Sequence, residues 1–258
     1  MYKTGLVSIS FRLLSVDEII DLVKDAGLDA IEWGSDVHAP CTDVENLKRI
    51  AKMQRDAGLY CSSYGTYFRL GVDAVEELHH YISAAKMLGT EILRIWCGKK
   101  DYDKTDEGEK EYLISQARIA AKMAEEENVI LCMECHGGTF VNCIEGAEEL
   151  MRSVNSPHFR MYWQPSAFQP TAVNVEYASR IAPYVTHLHV FYWQERDRFS
   201  LADGVQEWKQ YLSCFDEDRT LLLEFMPDDR SESVKTEAEA LRNLIKCVVK
   251  PFALAIGI

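Results

Sequence analysis

Acidic and histidine side chains occur at the ends of apolar segments of the chain. Glu134 follows Val-Ile-Leu-Cys-Met, Glu224 follows Thr-Leu-Leu-Leu, and His187 and His189 alternate with apolar residues in another such segment. A carboxylate at the end of an apolar strand is costly unless it is paired, hydrogen-bonded or bound to a metal. Because side chains alternate along a strand, His187 and His189 point to the same face. Two glutamates, a histidine and one further oxygen ligand would suit a single divalent ion, Mn²⁺, Mg²⁺, Co²⁺ or Zn²⁺, without selecting among them.

The same residues also have a purely structural interpretation. A glutamate at a strand end commonly forms a salt bridge, which Arg94 could supply, and a buried histidine commonly hydrogen-bonds to a carbonyl. Glu32, at the end of an earlier apolar segment, is compatible with a loop-capping role. The residue pattern alone therefore leaves a metal site and ordinary structural pairing equally open.

These segments belong to a regular alternation of short β-rich runs and longer stretches with helical spacing of apolar residues. Ser15 and Glu18 have the form of a capping box, and Gly27, Gly58 and Gly89 each follow a predicted helix. The pattern predicts one (β/α)₈ TIM barrel over residues 1–258, with 251–258 as an apolar C-terminal tail. A doubly wound open sheet is disfavoured because no G-x-G-x-x-G loop follows the first strand. The eight predicted strands are 5–8, 30–33, 60–65, 91–96, 129–134, 159–163, 185–190 and 220–224.

Active sites of such barrels lie at the carboxyl ends of the strands, so the residues there are the candidates for contact with a substrate. Trp33, Trp96, Trp163 and Trp193 either pack in the core or form apolar walls for sugar rings. Arg69, Arg94 and Lys99 could bind a carboxylate or phosphate, although no glycine loop supports a phosphorylated substrate. The predicted substrate-binding residues are His38, Tyr64, Arg69, Arg94, Trp96, His136, Trp163, His187 and Trp193.

Charge and composition restrict the partners. The 258 residues carry 41 acidic against 28 basic side chains, a formal net charge of −13, which disfavours nucleic acid as a ligand. No apolar run approaches the roughly 18 residues of a membrane span, so no membrane partner is expected. Several of the eight cysteines fall in predicted strands or helices, and the set fits a reducing, cytoplasmic environment.

Seven segments near the predicted strand ends carry a family pattern. They are AGLDAIEWG (26–34), SYG (63–65), RIWCG (94–98), ECHGGT (134–139), YWQP (162–165), HLHVF (187–191) and LEF (223–225). Through them the chain resembles, over essentially its full length, the xylose-isomerase-like (β/α)₈ superfamily and its sugar phosphate isomerases/epimerases. The resemblance also implies a possible homodimer, since these barrels often pair through helices.

In the ketose 3-epimerases of this superfamily, a Glu, an Asp, a His and a Glu from strands five to eight hold the metal. Carried over by position, these ligands are Glu134, Gln164, His189 and Glu224. The resemblance further implies that the two glutamates act as acid and base on opposite faces of the substrate. Gln164 departs from the family's Asp, which predicts weaker metal affinity or a contact of Gln164 with the substrate. His136, two residues past Glu134, is an alternative ligand or base.

The leading hypothesis is a metal-assisted isomerase or epimerase acting on a sugar, keto sugar or related polyol through an enediolate. A lyase on the same scaffold, such as a dehydratase or a C-glycoside-cleaving enzyme, begins with the same enolisation and remains an alternative. A non-catalytic sugar-binding barrel is a third hypothesis, prompted by Gln164. A metal-dependent nuclease is disfavoured by the net charge of −13.

Overall fold

A computed structural model describes residues 2–215 and 219–248 and shows a closed barrel of parallel strands. The order around the barrel is β1-β10-β7-β6-β5-β4-β3-β2, and β8 and β9 form a separate antiparallel hairpin. The predicted (β/α)₈ barrel is confirmed, whereas the hairpin was not predicted. The predicted tail 251–258 lies outside the described residues. The strands are β1 Lys3–Val7, β2 Ala30–Gly34, β3 Tyr60–Leu70, β4 Ile92–Cys97, β5 Ile130–Glu134, β6 Phe159–Trp163, β7 Val185–Val190, β8 Tyr192–Gln194, β9 Asp197–Phe199 and β10 Thr220–Leu223.

Eight helices cover the barrel within the described part of the chain. The predicted capping box at the first helix is confirmed, since Ser15 and Glu18 exchange side-chain and backbone hydrogen bonds. Gly89 ends the third helix with φ of +86°, a conformation that costs glycine little. The helices are α1 Val16–Asp25, α2 Val44–Asp56, α3 Leu78–Leu88, α4 Glu107–Glu126, α5 Ile144–Val154, α6 Thr171–Ile181, α7 Val205–Leu212 and α8 Val234–Val248.

Alternation along the strands divides the apolar side chains into two layers. On β10, Leu221 and Leu223 join the large core between the barrel and its helices, whereas Leu222 joins a smaller cluster inside the barrel. Neighbouring residues therefore face opposite sides of the wall. On β2, Trp33 points outward and donates from Nε1 to Gln54 Oε1 at 2.8 Å. Trp33 is thus a core residue and not part of the barrel mouth.

Gly5 lies where β1 meets its two neighbours inside the barrel. A Cβ atom at this position would lie 2.6 Å from the Ala30 carbonyl oxygen and 2.7 Å from Leu222 Cδ2. One of these two atoms belongs to the backbone of β2, so it cannot move aside without shifting the strand. The absence of a side chain here is a packing requirement of the barrel.

Gly5→Ala is accordingly expected to lower the free energy of unfolding by about 1–3 kcal/mol, because overpacking forces a backbone shift. Gly108→Ala is the matched control, since its nearest neighbour, Asp106 Oδ1, is 3.5 Å from the added Cβ. In the first turns of α4 the same substitution should raise the free energy of unfolding by roughly 0.5 kcal/mol. Urea denaturation measures both, and equal stability of Gly5→Ala and the wild type would contradict the close packing of β1.

Candidate active site

Glu134, His189 and Glu224 converge at the carboxyl end of the barrel. Glu134 ends β5, His189 lies in β7 and Glu224 directly follows β10, and all three side chains are buried. His189 Nδ1 lies 3.4 Å from Glu224 Oε2 and 3.6 Å from Glu134 Oε1. One donor atom from each residue falls within 4.8 Å of the other two. These three residues could therefore bind one cation together.

Gln164, the first residue after β6, adds a fourth donor to the cluster. Its Oε1 lies 3.1 Å from His189 Nδ1, although the pattern of the ketose 3-epimerases has an aspartate at this position. Two adjacent donors that share an ion at about 2.0–2.2 Å lie roughly 2.8–3.6 Å from each other in octahedral or tetrahedral geometry. The separations around His189 Nδ1 agree with that spacing. Two carboxylates, an imidazole and an amide oxygen therefore fit a single divalent ion.

Arg94 joins this cluster to a third buried carboxylate, that of Glu32. Arg94 Nε donates to Glu32 Oε1 at 2.8 Å, and its Nη1 donates to Glu134. Ser63 Oγ donates to Glu32 Oε2 at 2.8 Å. Gly65 makes room for the pair, because a Cβ there would lie 2.6 Å from Glu32 Oε1 and 2.7 Å from Arg94 Nη2. Glu32 is thus a buried ion-pair partner, and the loop-capping role suggested by its sequence position is wrong.

Glu32 also faces the second nitrogen of the histidine. His189 Nε2 lies 3.6 Å from Glu32 Oε1 and has no hydrogen-bond partner among the described residues. Histidines that bind metals commonly orient their other ring nitrogen toward a carboxylate, which fixes the ring. Glu32 is positioned to do this for His189.

The buried charges do not cancel. With His189 neutral, as metal binding requires, Glu32, Glu134 and Glu224 carry −3 when ionised and Arg94 carries +1, which leaves −2, the charge that one divalent ion would neutralise. Burial opposes ionisation of Glu32 and Glu134, but Arg94 and His189 outweigh it and hold the pKa of Glu32 well below its usual range and that of Glu134 at about 2. Burial would also lower the pKa of His189, yet the surrounding carboxylates raise it to about 10.

Glu224 differs from the other two carboxylates. Burial raises its pKa above the usual range, His189 opposes this rise and Glu134 adds to it. Among the described residues, its nearest cationic partner is His189 Nδ1 at 3.4 Å. Its oxygens are therefore less tightly engaged than those of Glu134, which Arg94 contacts directly.

These groups open into a cavity of about 240 Å³, which we call the catalytic cavity. It contains four of the predicted substrate-binding residues, Arg94, Trp96, His136 and Trp193. Five of its residues were not predicted: Ile9, Arg12, Tyr67, Phe191 and Phe225. The complete lining is Ile9, Arg12, Tyr67, Arg94, Trp96, Glu134, His136, Gln164, Phe191, Trp193, Glu224 and Phe225.

Trp96 forms one wall of the catalytic cavity. The exposed His136 ring stacks on it with 4.7 Å between centroids, and the Arg69 guanidinium lies 3.9 Å from the Trp96 ring. Arg69 also donates from Nη1 to the Gly98 carbonyl at 3.1 Å. Arg69 therefore packs on Trp96 and is not among the residues that line the catalytic cavity, where a contact with substrate was predicted. Lys99 is exposed and likewise is not part of this lining.

Two more predicted substrate-binding residues have structural roles in the loops. His38 has Nδ1 3.1 Å from Ser8 Oγ and Nε2 3.0 Å from the Leu14 carbonyl oxygen. Tyr64 donates its hydroxyl to the Ala39 carbonyl at 2.6 Å. Both are buried and satisfied by polar loop groups, which is why the structure does not bring them into the catalytic cavity.

His187 and Trp163 are also placed elsewhere. His187 shares the inward face with His189 but lies deeper in the barrel, where it stacks on Tyr162 at 5.1 Å and approaches the Ser62 carbonyl at 3.2 Å. Trp163 follows the inward-facing Tyr162, so it points outward and packs at 6.2 Å from Trp208 of α7. The structure therefore does not bring His187 or Trp163 into the catalytic cavity, where a contact with substrate was predicted.

None of the described helices combines the length and apolarity of a membrane span.

Known proteins share this fold. A 3-dehydroshikimate dehydratase of Bacillus anthracis is 22% identical over 204 residues, covering 72% of this chain and 70% of that protein. The crystal structure of the probable dehydratase of this kind involved in petrobactin synthesis in the same organism has a TM-score of 0.79 at 18% identity, covering 94% of this chain and 99% of that one. D-psicose 3-epimerase with D-tagatose from Clostridium cellulolyticum has a TM-score of 0.71 at 14% identity, covering 96% of this chain and 100% of that one.

A further solved structure, the IolI protein with a binding zinc atom, has a TM-score of 0.74 at 15% identity and covers 96% of this chain and 98% of its own. The family model of the xylose isomerase-like TIM barrel matches residues 20–247 of this chain. The match spans most of the barrel and includes Glu134, Gln164, His189 and Glu224. The chain belongs to the xylose isomerase-like TIM barrel family.

Proposed function

We propose that this protein is a divalent-metal-dependent isomerase or epimerase that removes a proton next to a carbonyl of a small, uncharged polyhydroxylated substrate. One observation carries the proposal: two buried glutamates face one cavity with His189 and Gln164 between them, in a cluster where the carboxylates outnumber the single arginine. A cation that polarises the carbonyl and a carboxylate that moves the proton would together promote either isomerisation or epimerisation of a keto sugar.

Glu134, Gln164, His189 and Glu224 are the residues that would hold the ion. When bound, the ion would supply Lewis-acid polarisation of the substrate carbonyl and balance the charge that develops on its oxygen. Glu32 would keep the His189 ring oriented, and Arg94 would keep the Glu134 carboxylate fixed. Rigid support of this kind holds reacting groups in place without cost during the reaction.

Glu224 is the better placed of the two glutamates to accept a substrate proton. Arg94 Nη1 donates directly to Glu134, which fixes that carboxylate, whereas Glu224 has oxygens that are free to face the catalytic cavity. We therefore assign the main acid–base role to Glu224 and a smaller one to Glu134. The prediction that both act on opposite faces of the substrate remains part of the proposal.

The cations of the catalytic cavity support an uncharged substrate. Arg94 is engaged by two glutamates, and Arg12 is held by Asp36 at 2.9 Å. Trp96 and Trp193 provide apolar faces of the kind on which sugar rings stack. A phosphate or carboxylate would find both guanidinium groups already paired.

A dehydratase is the second candidate, and the similarity to 3-dehydroshikimate dehydratase favours it. Elimination of water next to a carbonyl begins with the same proton removal and needs only one base, which Glu224 could provide. The two candidates differ in their products: an epimer or isomer keeps the mass of the substrate, whereas a dehydratase product is lighter by one water.

The cluster of four donor residues predicts about one equivalent of divalent metal in protein purified without chelator or metal-affinity resin. Glu134→Gln and His189→Ala should lose it, because each removes a donor from a small set. His136→Ala is the control and should retain it, because the exposed His136 lies outside the cluster of donors. Mass spectrometry of the metal content tests this. A wild type that stays metal-free after soaking with Mn²⁺, Co²⁺, Mg²⁺ and Zn²⁺ would favour a non-catalytic sugar-binding barrel.

Gln164→Glu should raise the affinity for Mn²⁺ by at least about tenfold, because it adds a negative charge to a donor without changing its length. Gln169→Glu makes the same chemical change at an exposed position of the following loop and should leave the affinity unchanged. Calorimetric titration with Mn²⁺ compares the two variants with the wild type. Equal affinity in all three would show that Gln164 is not a ligand.

Metal-loaded wild type in D₂O should incorporate deuterium at the carbon next to the carbonyl of its keto sugar. Glu224→Gln should slow this exchange by about 10²–10⁴-fold, the usual contribution of a general base. Glu195→Gln, in the exposed turn of the β8–β9 hairpin, is the control and should exchange normally. NMR follows the exchange over a panel of keto sugars, and mass spectrometry of the products separates epimers from dehydration products. Sugar binding without exchange or turnover would contradict the proposed function.

A further inference from the structure

A second cavity adjoins the catalytic cavity on the surface of the protein. It has a volume of about 570 Å³ and lies between the loop after β1 and the loop after β10; we call it the outer groove. Ile9, Arg12 and Phe225 line both the outer groove and the catalytic cavity, so the two spaces meet at these side chains. The catalytic cavity alone, at about 240 Å³, is smaller than most ligand pockets, which span roughly 300–1,000 Å³. The two adjacent spaces together offer room for a ligand larger than the catalytic cavity alone.

The loop after β1 lines the outer groove with apolar side chains. Phe11, Leu13 and Leu14 all contribute, and Leu13 is 100% exposed. A single exposed leucine is ordinary on a protein surface. This one stands on the wall of a groove that leads to a buried catalytic cluster, where an apolar part of a ligand would cover it.

Phe225 forms the boundary between the two spaces and has a backbone conformation that is rare for its type. Its φ is +49°, and its N–H donates to Ser10 Oγ at 2.9 Å. A bulky residue in the left-handed region is a genuine outlier that the surrounding structure must hold in place. The ring lies 5.9 Å from Trp193 and 5.3 Å from the Arg198 guanidinium. An aromatic face is thereby fixed beside Glu224 and along the groove.

The charged side chains of the outer groove are paired. Arg198 forms an ion pair with Asp229, and Arg230 lies 3.5 Å from Glu232. Arg12 contacts Asp36, as described above. Each guanidinium is thus neutralised by a carboxylate, so the groove offers no net positive charge to an anion. Their remaining N–H groups can still donate to neutral oxygen acceptors.

We propose that the substrate is an uncharged keto derivative of an aryl glycoside, with its sugar ring in the catalytic cavity and its aromatic group in the outer groove. This inference rests on the proposed function for the identity of the sugar end. The aromatic group would lie against Leu13 and Phe225. Hydroxyl groups attached to the aromatic ring would accept hydrogen bonds from the arginines that line the groove. Stacked aromatic and guanidinium groups, as in the Arg198 contact with Trp193 at 4.7 Å, form a surface suited to a planar ring.

Calorimetry on metal-loaded protein tests the inference with phenyl, methyl and 4-carboxyphenyl glycosides of glucose, galactose and xylose. The phenyl glycoside of at least one sugar should bind at least tenfold tighter than its methyl glycoside, and tighter than its 4-carboxyphenyl analogue. Leu13→Ser should reduce the preference for phenyl over methyl at least threefold. Val37→Ser, at a half-exposed position outside both cavities, is the matched control and should keep it.

Equal binding of phenyl and methyl glycosides, stronger binding of the carboxyphenyl analogue, or no binding of any glycoside would each overturn the inference. Deuterium exchange on free keto sugars reports separately on the proposed function. Exchange without an aryl preference would remove only the role of the outer groove. An aryl preference without exchange would remove the catalytic proposal and leave the groove as a binding site.

Discussion

A single buried guanidinium organises the chemistry of this barrel. Arg94 contacts Glu32 on one side and Glu134 on the other, and both carboxylates would be strongly disfavoured inside the barrel without it. Ser63 and Gly65 of the adjoining strand supply a hydrogen bond and the empty space that the pair requires. The carboxylate of Glu32 in turn faces His189. The orientation of the central histidine therefore depends on an ion pair that begins on the opposite side of the barrel.

The periodicity of the sequence was sufficient to predict the barrel and to place Glu134, Gln164, His189 and Glu224 at one end of it. This prediction was possible because the parallel strands of a closed barrel all end at the same face. A polar residue that directly follows an apolar strand therefore lies at that face. Trp163 was misplaced because its position within the strand, one residue before Gln164, turns it outward. His187 was misplaced because two residues along a strand are about 6.6–6.8 Å, which is a full layer of side chains.

The periodicity of the sequence does not indicate several other features of the structure. His38 and Tyr64 hydrogen-bond to loop carbonyl and hydroxyl groups whose positions depend on the folded loops. Glu32 could not be assigned its partner because Arg94 is 62 residues away. The hairpin of β8 and β9 has strands too short to show alternation, and tertiary contacts hold it in place. Glu195 N–H donates to the Ala167 carbonyl at 2.9 Å.

The order of strands around the barrel separates two kinds of residue. The four donors of the candidate metal site come from, or directly follow, the neighbouring strands β5, β6, β7 and β10. Arg12 comes from the loop after β1, Tyr67 from β3 and Trp96 from β4. One half-barrel thus carries the four donors, and the other contributes Arg12, Tyr67 and Trp96 to the lining of the catalytic cavity. The outer groove lies along the seam between the halves, where lengthening the loop after β1 would reshape the surface beside the catalytic cavity without altering any of the four donors.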